Sequence, residues 1–343
     1  MSETHRDRDR PARQEVARAS LPEIAEATPV AVVIPALQAA PVIGRAVASA
    51  LAQPQVARVV VAAGDAETRQ AAERIDDPRL EVVDNPSGRT PDALNLAIDR
   101  TTEQVVARLD AHAVLPAGYV PVAVGVLART GAANVGGRQV PTADAGFARA
   151  VALAMRSPVG AGGAAYRTGG QPGPVDTVYL GVFRREALEA VGGFDPRFVR
   201  NQDAELNLRL TRAGYQVWFE PSLAVTYRPR GTVRGLAHQY LQYGRFRRLT
   251  ARVHAGSLRP RQLAAPVLVL GCTMLAVLAV AIGAPLVLLL PAVAYLMLLL
   301  MAGFQASRRP QLVMGVALAL LVMHVSWGLG FLVGPPRGVA GPG

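Results

Sequence analysis

Between residues 30 and about 135, short apolar runs alternate with segments of helical period. The runs VAVVIPAL (30–37), ARVVVAAG (57–64), LEVVDN (80–85) and VVARLDA (105–111) predict strands, and helices fit between them at 40–52, 66–75 and 90–101. The strands are continuously apolar rather than alternating, so an α/β fold is expected, with a mostly parallel sheet covered by helices on both faces. The third helix carries start signals: Thr90 as N-cap, Pro91 at the first helical position and Asp92 in the first turn. Residues 136–175 are glycine-rich and weakly periodic, and predict a mobile loop. A strand and helix follow in DTVYLGVFRREALEAVGGFD, then a helix from Gln202 to Ala213 closed by Gly214, then the strand YQVWFEP.

After residue 262 the pattern changes. Three apolar segments, 263–282, 285–304 and 311–333, each have the roughly 20 residues that a bilayer crossing requires. Arginines cluster between Arg228 and Arg261, ahead of the first segment, and Arg308 and Arg309 separate the second from the third; the turn AIGAP has no charge. With positive charge inside, both arginine regions are cytosolic, and the C-terminal GPPRGVAGPG is outside.

Composition sharpens this picture. The 343 residues are 51% hydrophobic, and the excess lies in the tail. The formal net charge is +11 and every basic residue is arginine. A cluster beside apolar spans suits anionic lipid, whereas nucleic-acid binding calls for interleaved base-stacking aromatics or a recognition motif. The single Cys272 excludes an internal disulfide and a cysteine zinc site. Residues 1–28 are charged and lack an apolar core, so they predict a disordered arm rather than a signal peptide, with the catalytic part in the cytosol.

Candidate chemistry sits where the predicted sheet ends. In extended chain Asp110 and His112 point the same way, and a carboxylate beside an imidazole can hold a divalent cation; the same residues also fit a strand-end cap beside an ordinary polar histidine. Asp203 heads the helical stripe it shares with Leu206 and Leu210, where it either caps the helix or serves as a general base kept ionised by the helix dipole. Glu205 lies off that stripe as a solvated or secondary group. In HQYLQYGRFRRL, Leu236, Tyr240 and Tyr243 share one face, as in a helix lying on a membrane surface, and Gln242 and Arg245 can reach one phosphate.

Taken in order, VVIPALQ, NPSGRTPDALNLAI, RLDAHAVLP, VDTVYLGVFRREALEAVGGFD, RNQDAELNLRLTRAG and QYGRF resemble a family 2 glycosyltransferase of GT-A fold, in particular the membrane-anchored succinoglycan-type exopolysaccharide enzymes. The resemblance covers roughly residues 29–250 plus the tail. RLDAH matches the variant in which Asp-x-His replaces Asp-x-Asp, Gln202-Asp203 stands where Glu-Asp is usual, and Phe246 takes the tryptophan place of Gln-x-x-Arg-Trp. It implies a disordered arm (1–28), a catalytic domain (29–233), an arginine-rich interfacial helix region (234–262), three transmembrane helices (263–334) and a tail (335–343), with 136–175 on the acceptor side. Asp203 would be the catalytic base. Asp110 and His112 would hold a divalent cation, Mn²⁺ favoured over Mg²⁺ because of the imidazole. Pro35, Leu37, Asp65, Arg89, Asn95, Asp110, Gln242 and Arg245 would line the nucleotide-sugar site.

The usual acidic pair after the second strand is replaced by Ala62 and Ala63, for which Asp65 or Glu67 could substitute. The implied function is inverting transfer of a sugar from a nucleoside-diphosphate donor to a lipid-linked saccharide at the cytosolic membrane surface, in exopolysaccharide or cell-wall glycan assembly, with no nucleic-acid partner. Competing readings are a polyprenyl-phosphate glycosyltransferase and a catalytically degenerate membrane scaffold.

Overall fold

A computed structural model describes residues 21–284, 286 and 289–335. The chain forms two compact units, one of residues up to Gln139 with Gly169–Thr226, the other of Val140–Thr168 with the chain from Tyr227 onward. In chain order the strands are β1 (Val30–Ala36), β2 (Val56–Ala63), β3 (Leu80–Asp84), β4 (Val105–Arg108), β5 (Asn134–Pro141), β6 (Gly173–Pro174), β7 (Tyr179–Arg184) and β8 (Val217–Tyr227). The helices are α1 (Ile43–Leu51), α2 (Ala66–Glu73), α3 (Thr90–Asp99), α4 (Tyr119–Thr130), α5 (Gly146–Arg156), α6 (Pro158–Ala161), α7 (Ala165–Thr168), α8 (Arg185–Ala190), α9 (Gln202–Arg212), α10 (Val233–Val253), α11 (Ala264–Ala281), α12 (Leu289–Ala306) and α13 (Pro310–Val333).

The first unit carries a mixed eight-stranded sheet of order β3-β2-β1-β4-β7-β5-β8-β6. Strands β1 to β4 pair in parallel, while β7 runs antiparallel to both β4 and β5. Val30–Ile34 are all buried, as is the whole of β4, so both faces of the sheet centre are covered and no alternation shows in the sequence. Helix α1 meets this core with Ile43, Ala46, Val47 and Ala50, one helical stripe. Helix α3 starts one residue off the expected frame: Arg89 is the N-cap, without a side-chain bond, and Pro91 follows inside the first turn, where no N–H is required.

Residues 1–20 of the expected arm and 336–343 of the tail lie outside the described residues. The last eight arm residues are held: Ile24 is buried, and Arg184 donates through Nη1 to the Pro22 carbonyl at 2.5 Å and through Nη2 to that of Leu127 at 2.7 Å.

The second unit corrects two expectations. Residues 136–175 are not one loop, because most of β5 and all of the next three helices (α5, α6 and α7) and β6 fall within them. In α5, Ala150, Val151, Ala154 and Met155 form a helical stripe that the flanking glycines disguised. Nor is the stripe of α10 open to lipid: Leu236 and Tyr240 are buried in one cluster with the α5 stripe and with Val316, Leu320 and Met323 of α13.

Three helical stretches, Pro260–Ala281, Leu289–Ala306 and Pro310–Val333, are long and apolar enough to cross a membrane. Their packing relies on small residues. A Cβ on Gly244 of α10 would come within 2.1 Å of the Trp327 carbonyl oxygen of α13, and one on Gly330 within 2.1 Å of that of Leu241. Backbone contact of this kind needs glycine at both positions. His324 of α13 adds a polar tie, bonding Tyr295 Oη of α12 at 2.8 Å through Nδ1 and the Val159 carbonyl at 3.1 Å through Nε2.

Gly244→Ala and Gly330→Ala are each expected to destabilise the full chain by about 1–3 kcal/mol, the usual range for overpacking. Gly271→Ala in α11, where a Cβ meets nothing within 4 Å, should leave stability unchanged or slightly higher. Thermal unfolding of the three variants in one detergent checks this.

Candidate active site

The order of the sheet reverses at β1: the chain builds outward through β2 and β3 on one side and then returns to place β4 on the other. Such a switch point opens a crevice beyond the carboxyl ends of the strands. Pairing of β1 with β4 runs from Val30 to Val33, and the last bond across it is Leu109 N–H to the Val33 carbonyl at 3.0 Å. Pro35 lies beyond that pairing and has no N–H to extend it.

Strand β4 ends at Arg108, three residues earlier than expected. Asp110 opens a turn, with the Ala113 N–H donating to the Asp110 carbonyl at 2.8 Å. Asp110 and His112 are therefore not brought together by the two-residue repeat of a strand. The charge of His112 nonetheless helps to hold the Asp110 carboxyl down.

Arg108 joins the site without having been among the candidates visible in the sequence. Its side chain is 6% exposed and lies between the two candidate carboxylates. Nε and Nη2 donate to Asp110 Oδ1 at 3.1 and 2.8 Å, and Nη1 donates to Asp203 Oδ1. An arginine within an otherwise apolar strand, two residues before an aspartate, was the available signal.

The two carboxyls respond differently to shared burial. For Asp110, burial pushes the pKa up, but Arg108 and His112 more than offset this and hold it below the ordinary value. For Asp203, burial and the Asp110 charge prevail over Arg108, and the pKa is raised. The helix-dipole expectation for Asp203 is thus outweighed by desolvation, although Asp203 does lie in the first turn of α9.

Glu205 is not solvated. It is fully buried and paired with Arg209 at 2.7 and 2.8 Å, whose Nη2 also donates to the Gly193 carbonyl at 2.7 Å. Arginine four residues along the helix supplies the counter-charge that makes burial tolerable. Asn95 is also structural. Its Nδ2 donates to the Phe194 carbonyl at 2.7 Å, and its Oδ1 accepts from the Phe194 N–H at 2.8 Å. Arg89 likewise donates to the Pro196 carbonyl, so both residues tie α3 to the segment before α9.

At the ends of β1 and β2, Leu37 is 52% exposed, its Cδ1 2.9 Å from where a Cβ on Gly64 would stand. Asp65 caps α2, accepting from the Thr68 N–H and hydroxyl at 2.8 Å each, and from the Gln38 N–H at 2.6 Å. This last bond holds Gln38 at a φ of 52°. Through these bonds Asp65 shapes the loop after β1, and Ala62 and Ala63, which stand where an acidic pair is usual, are both buried. Gln242 and Arg245 lie three apart on α10 in the second unit, and Arg245 Nε is sealed from solvent without a hydrogen-bond partner.

Among the described residues there is no cluster of three or more metal-ligating side chains. Arg108 holds Asp110 by Oδ1, which leaves Oδ2 outside that fork, and the imidazole of His112 is exposed. Two donors of this kind suit an open cation site whose remaining positions are filled by phosphate oxygens; they do not make a closed structural site.

Comparison with known proteins agrees with this geometry. Residues 31–192 match the model for glycosyl transferase family 2, and residues 180–334 the model for glycosyl transferase family 21. Mannosyltransferase PcManGT from Pyrobaculum calidifontis, solved in complex with GDP-Man and Mn²⁺, superposes with a TM-score of 0.61 over 94% of this chain and 95% of its own, at 19% identity, which shows a shared GT-A fold. The succinoglycan biosynthesis protein ExoA of Rhizobium meliloti (strain 1021) is 32% identical over 297 residues, 81% of this chain and 86% of that protein. On this identity and coverage, the chain belongs to glycosyltransferase family 2 and is a glycosyltransferase.

Proposed function

We propose that the chain is a membrane-anchored transferase that moves a sugar, with inversion, from a nucleoside-diphosphate donor to a lipid-linked saccharide in exopolysaccharide synthesis. The observation that carries this reading is the joint hold of Arg108 on Asp110 and Asp203 at the switch point of the sheet. The name of the ExoA relative supports the process, and PcManGT, bound to GDP-Man and Mn²⁺, supports a nucleotide-sugar donor and a divalent cation.

Asp203 is the base. Arg108 occupies its Oδ1, so Oδ2 takes the proton of the acceptor hydroxyl as that oxygen attacks the anomeric carbon. The bond from that carbon to the diphosphate breaks on the opposite face, and the diphosphate leaves with its electron pair. Asp110 and His112 would hold the cation, whose chemistry is to neutralise charge on the departing diphosphate. An imidazole ligand favours Mn²⁺ over Mg²⁺. Pro35 and Leu37 border the donor crevice, and Gln242 and Arg245 serve a phosphate. The occupied carboxylate of Asp65 and the amide of Asn95, held by Phe194, give these two supporting roles. The arginines before α11 and between α12 and α13 favour a cytosolic face for both regions.

Asp203→Asn should lower kcat about 10²–10⁴-fold, the usual contribution of a positioned base, with nucleotide binding retained. Measurement of nucleoside-diphosphate release with Mn²⁺, a donor panel and a lipid extract tests this, and unchanged turnover would remove Asp203 from the role.

Because the base works deprotonated, kcat falls as pH drops through the Asp203 pKa. Its acid limb should have a midpoint above the ordinary aspartate value of 3.8, and Arg108→Met should move that midpoint higher still. A pH–rate profile of both proteins reads the shift.

Orientation is tested in a Cys272→Ala background. Ser307→Cys should react with an impermeant maleimide only after cells are opened, and Ala284→Cys in intact cells; the reverse pattern would invert the topology.

A further inference from the structure

The second unit contains one carboxylate, Asp144, against fifteen arginines. Among them is Arg167 of α7. Its Nη1 donates to Tyr240 Oη at a long 3.4 Å, its guanidinium lies 5.4 Å from the ring centroid of Tyr166, and its Nε is sealed from solvent without a hydrogen-bond partner. Among the described residues Arg167 has no salt bridge, and apart from burial the main influences on its charge are Tyr166, Tyr240 and Tyr243.

Arg167 is half-buried, and among the described residues no carboxylate pairs with its positive charge. An arginine does not shed its proton in a protein. The tyrosines do not supply the missing negative charge either, because burial pushes Tyr240 and Tyr243 up and keeps their hydroxyls protonated. A half-buried guanidinium with a sealed Nε, set beside neutral hydrogen-bonding groups and lacking a carboxylate partner, is matched by an anion from outside the chain.

We propose that Arg167, with the hydroxyl of Tyr240 and the ring of Tyr166, forms a binding site for the phosphate group of a ligand. A guanidinium edge and a phenolic hydroxyl together match phosphate oxygens, and charge-assisted bonds to them are short and strong. The surroundings favour a phosphate with an apolar tail. Tyr240 belongs to the cluster of α5, α10, α12 and α13 side chains, and α12 and α13 are long and apolar enough to cross a membrane. Assignment of that phosphate to an acceptor lipid rests on the transferase reading above; the anion site itself does not.

The test uses the full chain in detergent, with EDTA and without donor, so that neither metal nor transfer contributes. Binding of geranyl phosphate, geraniol and inorganic phosphate is measured by calorimetry for the wild type, Arg167→Met, Arg167→Lys and Tyr240→Phe. Geranyl phosphate is expected to bind, with affinity reduced about tenfold or more in Arg167→Met, as for loss of a hydrogen bond to a charged group. Arg167→Lys should keep part of the affinity, and Tyr240→Phe should show a smaller loss.

Displacement of geranyl phosphate by inorganic phosphate at similar concentration would identify a free anion as the ligand; weak displacement would identify a lipid headgroup, and both support the site. Equal binding of geraniol, or unaltered affinity in the variants, would overturn it. Should Arg167→Met not fold, the lysine and phenylalanine variants decide. Asp203→Asn should bind geranyl phosphate as the wild type does, so failure of the transferase reading and failure of the anion site give different results.

Discussion

Two carboxylates assigned to one end of a sheet repel each other, and burial makes the repulsion stronger. Arg108 is what allows Asp110 and Asp203 to share that place: one guanidinium donates to Oδ1 of each, with a second bond to Asp110. The arrangement divides the two acids by electrostatics. The one held by two bonds stays ionised and suits a cation, while the other is raised toward the range where a base can accept a proton. The rest of the first unit serves this contact. The parallel strands end in step, Pro35 closes the β1–β4 ladder, and Glu205, Arg209, Asn95 and Arg89 fix the segment that leads into α9.

The sheet was legible because its strands are continuous runs of valine and alanine, and fully buried strands need no alternation. The spans were legible for the same reason at greater length. Asp110, His112 and Asp203 were visible as polar residues at predicted element ends. Arg108 was not, because a side chain that turns back from a strand to bind a residue two positions on leaves no periodic trace. Glu205 was misread because its partner, four residues later, looks like any surface arginine until the helix is seen to be buried on that side. The helix α5 was hidden by composition: small residues at its apolar positions and glycine on either side read as loop, and its partner α13 lies more than 150 residues further on.

Charge is divided between the units in a way that the overall +11 conceals. With one carboxylate side chain in the second unit, nearly all the acids lie in the first. The second unit is therefore strongly basic, while the first carries the balance of negative charge despite the pI of the whole chain.

The packing of α5 has a consequence for how the enzyme is assembled. This helix is encoded between β5 and β7, in the middle of the catalytic sequence, yet its apolar face belongs to the core that α10 and α13 complete. The apolar tail helices are thus not an appendage to a self-sufficient enzyme. A chain cut before α11 would leave Val151, Leu236 and Tyr240 without the cover that α13 supplies, so the apolar tail is part of the fold of this unit and not an accessory to it.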